Sequence, residues 1–388
     1  MARIQPEMTL WHNLTTIPGR ASFKIPPAGM TEDIKGIGME VLWLNRNPDI
    51  KYDVKPSAMR SVNNILVGLQ ARLKTQRVFG YPRHLIVDLI NTCGLKCPIC
   101  PNGRNEIPRP PALMTRTLFS TIMKTFGPYL YTLTLTNWGE PLRHPDILEF
   151  LAIARKYPCY IGFSSNLQYL TPDLTDGLVR SGIDEIGCSI DGATSETYAT
   201  YRVGGNFETA VNNMQLLLAR RNQLGLTKPT IRWQVLLNRH TEKETEAVIA
   251  KAREIGVDRV VFVPILVDIT RMFTHTPEER LAKDSDWLPE NPELSAYIPV
   301  TGRLKGDPSF CSKLWDSLVI HPDGSISPCC AVIDPKDDFG VLSEKGGFWK
   351  IWNGKQYRTA RARMAGKKSS LPGHVVCDHC LRHGVLIY

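Results

Sequence analysis

From residue 81 onward, short runs rich in β-branched residues alternate with stretches whose apolar residues recur at helical spacing. The runs predict six strands, at 84–90, 131–136, 160–164, 185–190, 231–237 and 259–264. The stretches between them predict helices near 115–126, 146–156, 172–181, 207–224 and 241–255. The start signals expected for these helices are Thr115, His144-Pro145, Thr171-Pro172, Asn206 and Thr241.

Such regular alternation of strands and helices predicts a parallel sheet with helices packed outside it. Six units are too few for a closed barrel of eight, so a partial barrel and an open doubly wound sheet both fit the pattern. In either fold, the functional side chains are expected at the carboxyl ends of the strands.

The remaining segments follow other patterns. Residues 1–80 begin Pro-rich and then include an amphipathic stretch at 62–74, and no role is readable from them. Residues 267–310 are rich in Pro, Asp and Glu without a clear period, which is typical of a connecting segment. From residue 311, strand signals at 317–321 and 325–327 flank Pro322-Asp323-Gly324, which predicts a hairpin, and a basic helix follows near 346–366. The chain is therefore divided at 1–80, 81–266, 267–310 and 311–388.

Composition narrows the class of protein. The chain has 388 residues, is 43% hydrophobic and carries a formal net charge of +9. No run of about 18 apolar residues predicts a membrane-spanning helix, and the first residues lack an apolar signal core. We therefore expect a cytoplasmic protein. No Lys/Arg tract interleaved with aromatic residues indicates nucleic-acid binding, and scattered basic residues are typical of solvated helix faces.

Ten cysteines need an explanation in a compartment that keeps thiols reduced. Two of them, Cys159 and Cys188, stand alone in apolar surroundings and are expected to be buried structural thiols. The other eight form two groups, namely Cys93, Cys97 and Cys100, then Cys311, Cys329, Cys330, Cys377 and Cys380.

The first group has the spacing C-x3-C-x2-C directly after a predicted strand. Three thiolates at this spacing can hold a four-iron cluster and leave one iron open to another ligand. A zinc site usually takes four ligands, and no fourth ligand lies close in sequence. Three clustered cysteines cannot all pair with each other, which disfavours a disulfide framework.

This spacing, after the first strand of a β/α series, resembles the signature of the radical S-adenosylmethionine (AdoMet) superfamily over roughly residues 81–266. The resemblance implies that AdoMet chelates the open iron and is cleaved by one electron to a 5′-deoxyadenosyl radical. It also implies a partial (β/α)6 barrel and an electron donor such as flavodoxin or ferredoxin. Ile99 occupies a position before the third cysteine that is often aromatic in this family.

Further motifs follow in the family's order. The residues after the second strand resemble the GGEP motif that contacts the AdoMet ammonium, with Trp138 at its first glycine: Asn137-Trp138-Gly139-Glu140-Pro141. Later residues resemble the pattern S-x-D-G … Y-R, which implies AdoMet contacts from Ser189 and Arg202. The alternative for these two is a strand end with a helix cap and a surface arginine. The remaining candidate AdoMet contacts are Ser165, Asn166, Gln234, Asn238 and Val263.

The C-terminal cysteines resemble the SPASM domain, because Cys311, Gly324 and Cys329 form C-x12-G-x4-C. The full domain carries seven cysteines, but Leu386 stands where the next one is expected. We therefore expect a small α+β domain with one auxiliary [4Fe–4S] cluster, and a zinc ribbon is the alternative. Cys330 could replace Cys329, be inert, or donate a hydrogen atom to a substrate radical. The expected ligands are Cys311, Cys329, Cys377 and Cys380.

The resemblance implies a radical AdoMet oxidoreductase that takes a hydrogen atom from a substrate carbon and passes an electron to the auxiliary cluster. Because residues 1–80 show no persuasive peptide-binding domain, a small, carbohydrate-like substrate is favoured. The alternatives are a peptide-modifying maturase, an epimerase or lyase, and a non-catalytic iron–sulfur or zinc protein. No motif indicates which residue would act as the base that accepts the substrate proton. The only candidates are Asp268, Glu278 and Glu279.

Overall fold

Seven short strands lie side by side and parallel in the structure, a computed structural model that describes residues 40–43, 57–268, 271, 274–298, 301–305, 310–366 and 375–383. Most of the predicted N-terminal extension, and Leu386, lie outside these residues. The strands are β1 (Glu40–Trp43), β2 (His84–Val87), β3 (Thr132–Thr134), β4 (Tyr160–Ser165), β5 (Glu185–Ser189), β6 (Thr230–Leu237) and β7 (Arg259–Pro264).

The strand order is β1-β7-β6-β5-β4-β3-β2, and every neighbouring pair is parallel. Strands β2 to β7 are the six predicted ones, so the partial-barrel prediction is confirmed. The first strand, β1, was missed because EVLW is a short run inside a segment without other strand signals. In β6, side chains alternate between buried and half-buried, as expected for a sheet with helices on one face and an open interior on the other.

The helices that cover the barrel begin largely where the sequence predicts. They are α1 (Ala58–Arg72), α2 (Arg116–Phe126), α3 (Ile147–Ala154), α4 (Pro172–Arg180), α5 (Ser195–Tyr201), α6 (Phe207–Gln223) and α7 (Thr245–Ile255). Thr115, Thr171 and Asn206 cap α2, α4 and α6 by accepting a backbone N–H three residues on. No described helix is long and apolar enough to cross a membrane.

Two of the predicted start signals provide no side-chain cap. The helix α3 begins after Asp146 without a side-chain cap, because the ring of His144 is hydrogen-bonded to the Met114 carbonyl and the Asp146 N–H. The hydroxyl of Thr241 donates to the Leu236 carbonyl at 2.6 Å instead of capping a helix. A short 3₁₀ turn, Glu242–Glu244, therefore precedes α7.

The predicted connecting segment contains a helix, α8 (Pro277–Asp284), that the periodicity did not indicate. Its sequence, PEERLAKD, is too polar to show an apolar period. A capping box supplies the start signal instead, because Thr276 and Glu279 each bond the other's backbone N–H.

The C-terminal segment continues the barrel sheet. It contains β8 (Ser317–Ile320), β9 (Ser325–Ser327), β10 (Gly340–Val341), α9 (Lys313–Asp316), α10 (Phe348–Trp352), α11 (Lys355–Met364) and α12 (Cys377–His383). The predicted hairpin forms, and β8 also pairs in parallel with β2. The predicted basic helix is two helices, because the Asn353 side chain bonds both the N–H and the carbonyl of Val78 and breaks it there.

A buried arginine joins the loop after the first cysteine group to the C-terminal segment. Arg109 forms a bidentate ion pair with Asp338, at 2.7 and 2.8 Å. Its remaining donors reach the Ile333 carbonyl at 2.9 Å and Ser325 Oγ at 3.0 Å. Side chains of both partners are under 10% exposed, so each charge depends on the other for its solvation.

Replacing Arg109 by Ala is expected to lower the free energy of unfolding by roughly 3–5 kcal/mol, because the Asp338 carboxylate then stays buried without a cation. The matched control is Arg116→Ala, which removes an exposed ion pair with Glu149 and is expected to cost under ~1 kcal/mol. Denaturant unfolding of the anaerobic holoprotein measures both. Equal losses in the two variants would contradict this account of the contact.

Candidate functional site

A buried carboxylate at the end of β2 organises the loop that follows β3. Asp88 is 1% exposed, and its carboxylate accepts the N–H groups of Asn137, Trp138 and Gly139 at 3.1 to 3.3 Å. Burial raises the pKa of Asp88 to about 6, while the three backbone N–H groups act in the opposite direction. Sequence reasoning missed this residue. The available signal was an acid directly after an apolar strand.

The loop passes so close to the segment after β2 that Gly139 allows no side chain. A Cβ on Gly139 would lie 1.6 Å from the Ile90 carbonyl oxygen. Trp138 replaces the first glycine of the GGEP motif. Its backbone is not in the left-handed conformation, so the turn tolerates its side chain. Among the described residues, Asn137 Nδ2 and Trp138 Nε1 are buried without a hydrogen-bond partner. Two unpaired buried donors are costly in a protein and favour a polar ligand in this place.

Glu140 connects this loop to the end of β4. Its carboxylate accepts the Ser165 hydroxyl at 2.7 Å and the Asn166 N–H at 2.8 Å. The Asn166 amide in turn donates to Cys93 Sγ at 3.5 Å. The structure thus brings three predicted AdoMet contacts together beside the first predicted iron ligand.

Arg202 is held at the same end of the barrel by Asp191, a residue not singled out from the sequence. Arg202 Nε donates to Asp191 Oδ2 at 2.6 Å, and Asp191 Oδ1 accepts the Leu236 N–H at 2.6 Å. Burial opposes the charge on Arg202, but Asp191 and then Cys97 outweigh it and raise the Arg202 pKa. A fixed guanidinium beside a thiol is suited to an anionic cluster or to a carboxylate.

The other predicted AdoMet contacts are less clearly directed at a ligand. Ser189 is buried at the end of β5, and Val263 is half-buried on β7. Gln234 accepts a hydrogen bond from Arg232. Asn238 is fully buried, and its side-chain oxygen accepts the N–H groups of His240 and Thr241, which builds a turn. Their roles toward AdoMet stay predictions.

The three N-terminal cysteines lie in a loop fixed on several sides. Cys97 is buried, while Cys93 and Cys100 are partly exposed. The Lys96 N–H donates to the Val203 carbonyl at 2.8 Å, next to Arg202. Burial raises the pKa of Cys97 to about 12, so its thiolate form depends on a positive partner. Iron supplies such a charge, and the residues therefore fit a cluster.

The C-terminal cysteines form a second group inside the protein. Burial raises the pKa values of Cys311, Cys329 and Cys377, that of Cys329 to about 12. Neighbouring Cys380, Cys329 and Cys311 raise the Cys377 pKa further, so the four expected ligands lie near one another. The choice of Cys329 over Cys330 as a ligand stays a prediction.

Lys313 lies among these thiols. The nearby Cys330, Cys329 and Cys311 raise its pKa against the effect of burial. A half-buried ammonium beside these three cysteines would offset part of the negative charge that a thiolate-bound cluster carries.

No three His, Cys, Asp or Glu side chains of the described residues converge as the ligands of a single metal ion do. Thiolates that hold a cubane bind separate irons and therefore stand further apart. All ten cysteines are free thiols.

The three candidate bases lie in different settings. Asp268 is fully buried, with His275 Nδ1 2.7 Å from its Oδ2. Burial raises the pKa of Asp268, and His275 opposes that effect. Glu279 belongs to the capping box of α8, and Glu278 lies in the first turn of that helix. Of the three, only Asp268 is a buried acid beside a titratable partner.

Comparison with protein families gives two matches. Residues 87–227 match the Radical SAM superfamily, and residues 311–381 match SPASM, described as an iron–sulfur cluster-binding domain. These families imply AdoMet and [4Fe–4S] clusters as cofactors.

Two named enzymes illustrate the similarity in sequence over most of this chain. A PqqA peptide cyclase of Gluconobacter oxydans is 25% identical, over 70% of this chain and 76% of its own length. A mycofactocin maturase, MftC, of Mycobacterium ulcerans is 24% identical, over 77% of this chain and 82% of its own length.

Solved structures share the fold. Streptococcus suis SuiB bound to its precursor peptide SuiA has a TM-score of 0.53 at 14% identity and covers 81% of this chain and 74% of SuiB. The protein anSMEcpe, with AdoMet and a peptide bound, has a TM-score of 0.51 at 14% identity and covers 75% of this chain and 85% of its own. The chain therefore contains a radical SAM superfamily domain at residues 87–227 and a C-terminal iron–sulfur cluster-binding domain of the SPASM type at residues 311–381.

Proposed function

We propose that this chain is a radical AdoMet enzyme that oxidatively modifies a peptide. In the sequence, the lack of a persuasive peptide-binding domain in residues 1–80 favoured a small metabolite, with a peptide as the alternative. The relatives support the alternative, because similar proteins that span most of this chain include ones named as a peptide cyclase and a maturase. The observation that carries the catalytic part is the meeting of Cys93, Asn166, Glu140 and Arg202 at the carboxyl ends of neighbouring strands.

In this proposal Cys93, Cys97 and Cys100 hold the first [4Fe–4S] cluster. Together, the cluster and AdoMet supply a 5′-deoxyadenosyl radical that removes a hydrogen atom from a substrate carbon. The chain binds and orients the cofactor: Asn137 Nδ2 and Trp138 Nε1 offer unpaired buried donors, and Glu140 offers a carboxylate to the ammonium.

Glu140 already shares its two oxygens with Ser165 and Asn166, which fixes the carboxylate before any ligand arrives. Arg202 is fixed in the same way through its Nε bond to Asp191 and keeps its two Nη groups for an anion. Fixed donors and acceptors lose little conformational entropy on binding. The site is therefore preorganised for an amino-acid group that carries both charges.

The second group, Cys311, Cys329, Cys377 and Cys380, holds the auxiliary cluster in this proposal. Four protein ligands close a cluster to substrate and suit it to electron transfer. When bound, the auxiliary cluster would accept the second electron of a two-electron oxidation, and a base of the chain would take the proton that the peptide loses. Asp268 is the best-placed candidate for the base, because it is buried beside His275. A flavodoxin or ferredoxin supplies the electron that starts each turnover.

Cleavage of AdoMet tests the enzyme assignment. Anaerobically reconstituted protein, given dithionite and AdoMet, is expected to form 5′-deoxyadenosine, and Cys97→Ala is expected to abolish it. The control Cys159→Ala alters a lone buried thiol and should retain the activity. Absence of product from wild-type protein with full iron content would refute the proposal.

The peptide assignment needs a separate readout. A short peptide encoded beside this chain's gene, labelled with deuterium at its side chains, is expected to transfer deuterium into 5′-deoxyadenosine. Mass spectrometry should then show the peptide two hydrogens lighter. Deuterium transfer from a labelled sugar but from no such peptide would favour the small-metabolite hypothesis.

Iron content tests the number of auxiliary clusters. With Cys93, Cys97 and Cys100 all changed to Ala, about four irons per chain are expected to remain, as one closed cubane requires. Adding Cys377→Ala should remove them, whereas adding Cys330→Ala should leave them. Retention of iron without Cys377, or its loss without Cys330, would show that the ligand set is wrong.

The Asp88 contact makes a prediction about AdoMet affinity. In Asp88→Asn, an amide N–H₂ faces backbone N–H groups, so the 137–139 loop loses acceptors and AdoMet binding is expected to weaken by at least ~10-fold. Equilibrium dialysis of reconstituted protein measures this. The control Asp173→Asn lies exposed on α4 and should bind as the wild type does. Unchanged affinity in Asp88→Asn would contradict the role of the carboxylate.

A further inference from the structure

The helix α1 is built with its polar side inward. Its buried residues include Arg60, Asn63 and Gln70. Asn63 accepts the Tyr81 N–H at 2.8 Å and donates to the Tyr81 carbonyl at 3.0 Å. Gln70 Oε1 accepts the N–H groups of Phe79 and Gly80. These side chains bond the backbone that leads into β2, and Val67 and Ala71 are buried beside them, so the inward face of α1 combines polar contacts with apolar packing.

The outward face of α1 is apolar. Met59, Val62, Leu69 and Leu73 are 54%, 64%, 51% and 59% exposed, and half-buried Leu66 lies between them. Their spacing is 3, 4, 3 and 4 residues, the a/d pattern by which one helix packs against another. Ile65, 57% exposed, widens this ridge. A continuous apolar ridge on a surface helix is typical of an interaction site.

The middle of the ridge allows a second helix to approach closely. Gly68 is exposed, and a Cβ built on it would meet nothing within 4 Å. The helix contains no acidic residue, and Arg72 near its end is its one exposed charge. The ridge therefore fits an apolar helix that carries no matching charge.

We propose that the occupant is α1 of a second copy of this chain, packed antiparallel across a twofold axis near Gly68. In that register Val62 lies opposite Leu73 of the partner subunit and Leu66 opposite Leu69 of the partner subunit, whereas Met59 lies beyond the end of the facing helix. The two Arg72 side chains stand about 13 Å apart along the helix axes, beyond the Debye length of about 8 Å. A parallel pair would place these charges side by side.

The location of α1 leaves the candidate active site open in such a dimer. Arg60 lies over the ring of Tyr131, which directly precedes β3, and Asn63 bonds Tyr81, shortly before β2. The helix therefore covers the amino ends of the strands, whereas the cysteine loop lies at their carboxyl ends. Two chains joined through α1 present their catalytic openings in opposite directions, and each remains accessible to a substrate.

The contact is small, so the dimer is weak. The ridge offers six apolar side chains, fewer than the roughly 20–30 residues a side of a standard interface. We expect reversible association with a dissociation constant in the micromolar range, which depends on the ridge.

Sedimentation velocity of the anaerobic holoprotein, from low micromolar to several hundred micromolar, tests the proposal. Wild type is expected to shift from monomer to dimer, and Val62→Lys with Leu69→Lys to stay monomeric at every concentration. The matched control is Leu216→Lys, because Leu216 is 49% exposed on another helix, α6, and should dimerise as the wild type does.

Thermal unfolding of the same variants separates the rival occupants. An unchanged midpoint at low concentration, together with loss of the dimer, supports the proposal. A wild type that stays monomeric at every concentration overturns it. In that case, earlier unfolding of the lysine variant indicates that the ridge is covered by its own chain, and an unchanged unfolding temperature indicates that it binds another protein. Dimerisation of the lysine variant equal to that of wild type also overturns it.

Discussion

Asp88 lies where three parts of the site meet. Its backbone N–H donates to the Ile320 carbonyl of β8 at 2.9 Å, and its carboxylate accepts three N–H groups of the loop after β3. The same loop bonds the first cysteine segment, because the Glu140 N–H donates to the Thr92 carbonyl at 3.0 Å. A single buried carboxylate thus joins the proposed AdoMet loop to the sheet that leads into the C-terminal segment. A buried acid satisfied mainly by backbone donors gives this junction one geometry.

Buried carboxylates also connect the ends of other neighbouring strands around the barrel. Glu140 connects the end of β3 to the end of β4, and Asp191 connects the end of β5 to β6 and to Arg202. Each carboxylate pairs with a neighbouring strand's loop, so the strand ends are fixed relative to one another although the barrel is not closed. Such preorganisation lets the chain hold a reactive cofactor without rearranging at the moment of reaction. Because β8 pairs with β2, the C-terminal cysteines belong to the same rigid frame.

The sequence predicted the repeating parts of this structure well. Six strands and five barrel helices follow from periodicity, and the cysteine spacings with Gly139, Glu140 and Arg202 follow from motifs. Residues whose role depends on a distant partner were missed. In the sequence, nothing distinguishes Asp88 from other acidic residues at strand ends, because its partners lie in a loop some fifty residues later. Short elements such as β1, α5 and α8 carry too few residues to show a period. The apolar residues of α1 predicted an amphipathic segment, but not that an apolar face points outward while Arg60, Asn63 and Gln70 are buried.

The central claim is that AdoMet binds only at the cluster of Cys93, Cys97 and Cys100, while the C-terminal cysteines hold a cluster closed to it. Electron paramagnetic resonance of dithionite-reduced protein, with and without AdoMet, tests this most directly. The account predicts two overlapping cluster signals in the wild type, of which AdoMet changes one. In the variant with those three cysteines changed to Ala, the single remaining signal should be unaffected by AdoMet. A remaining signal that still shifts when AdoMet is added would contradict the account.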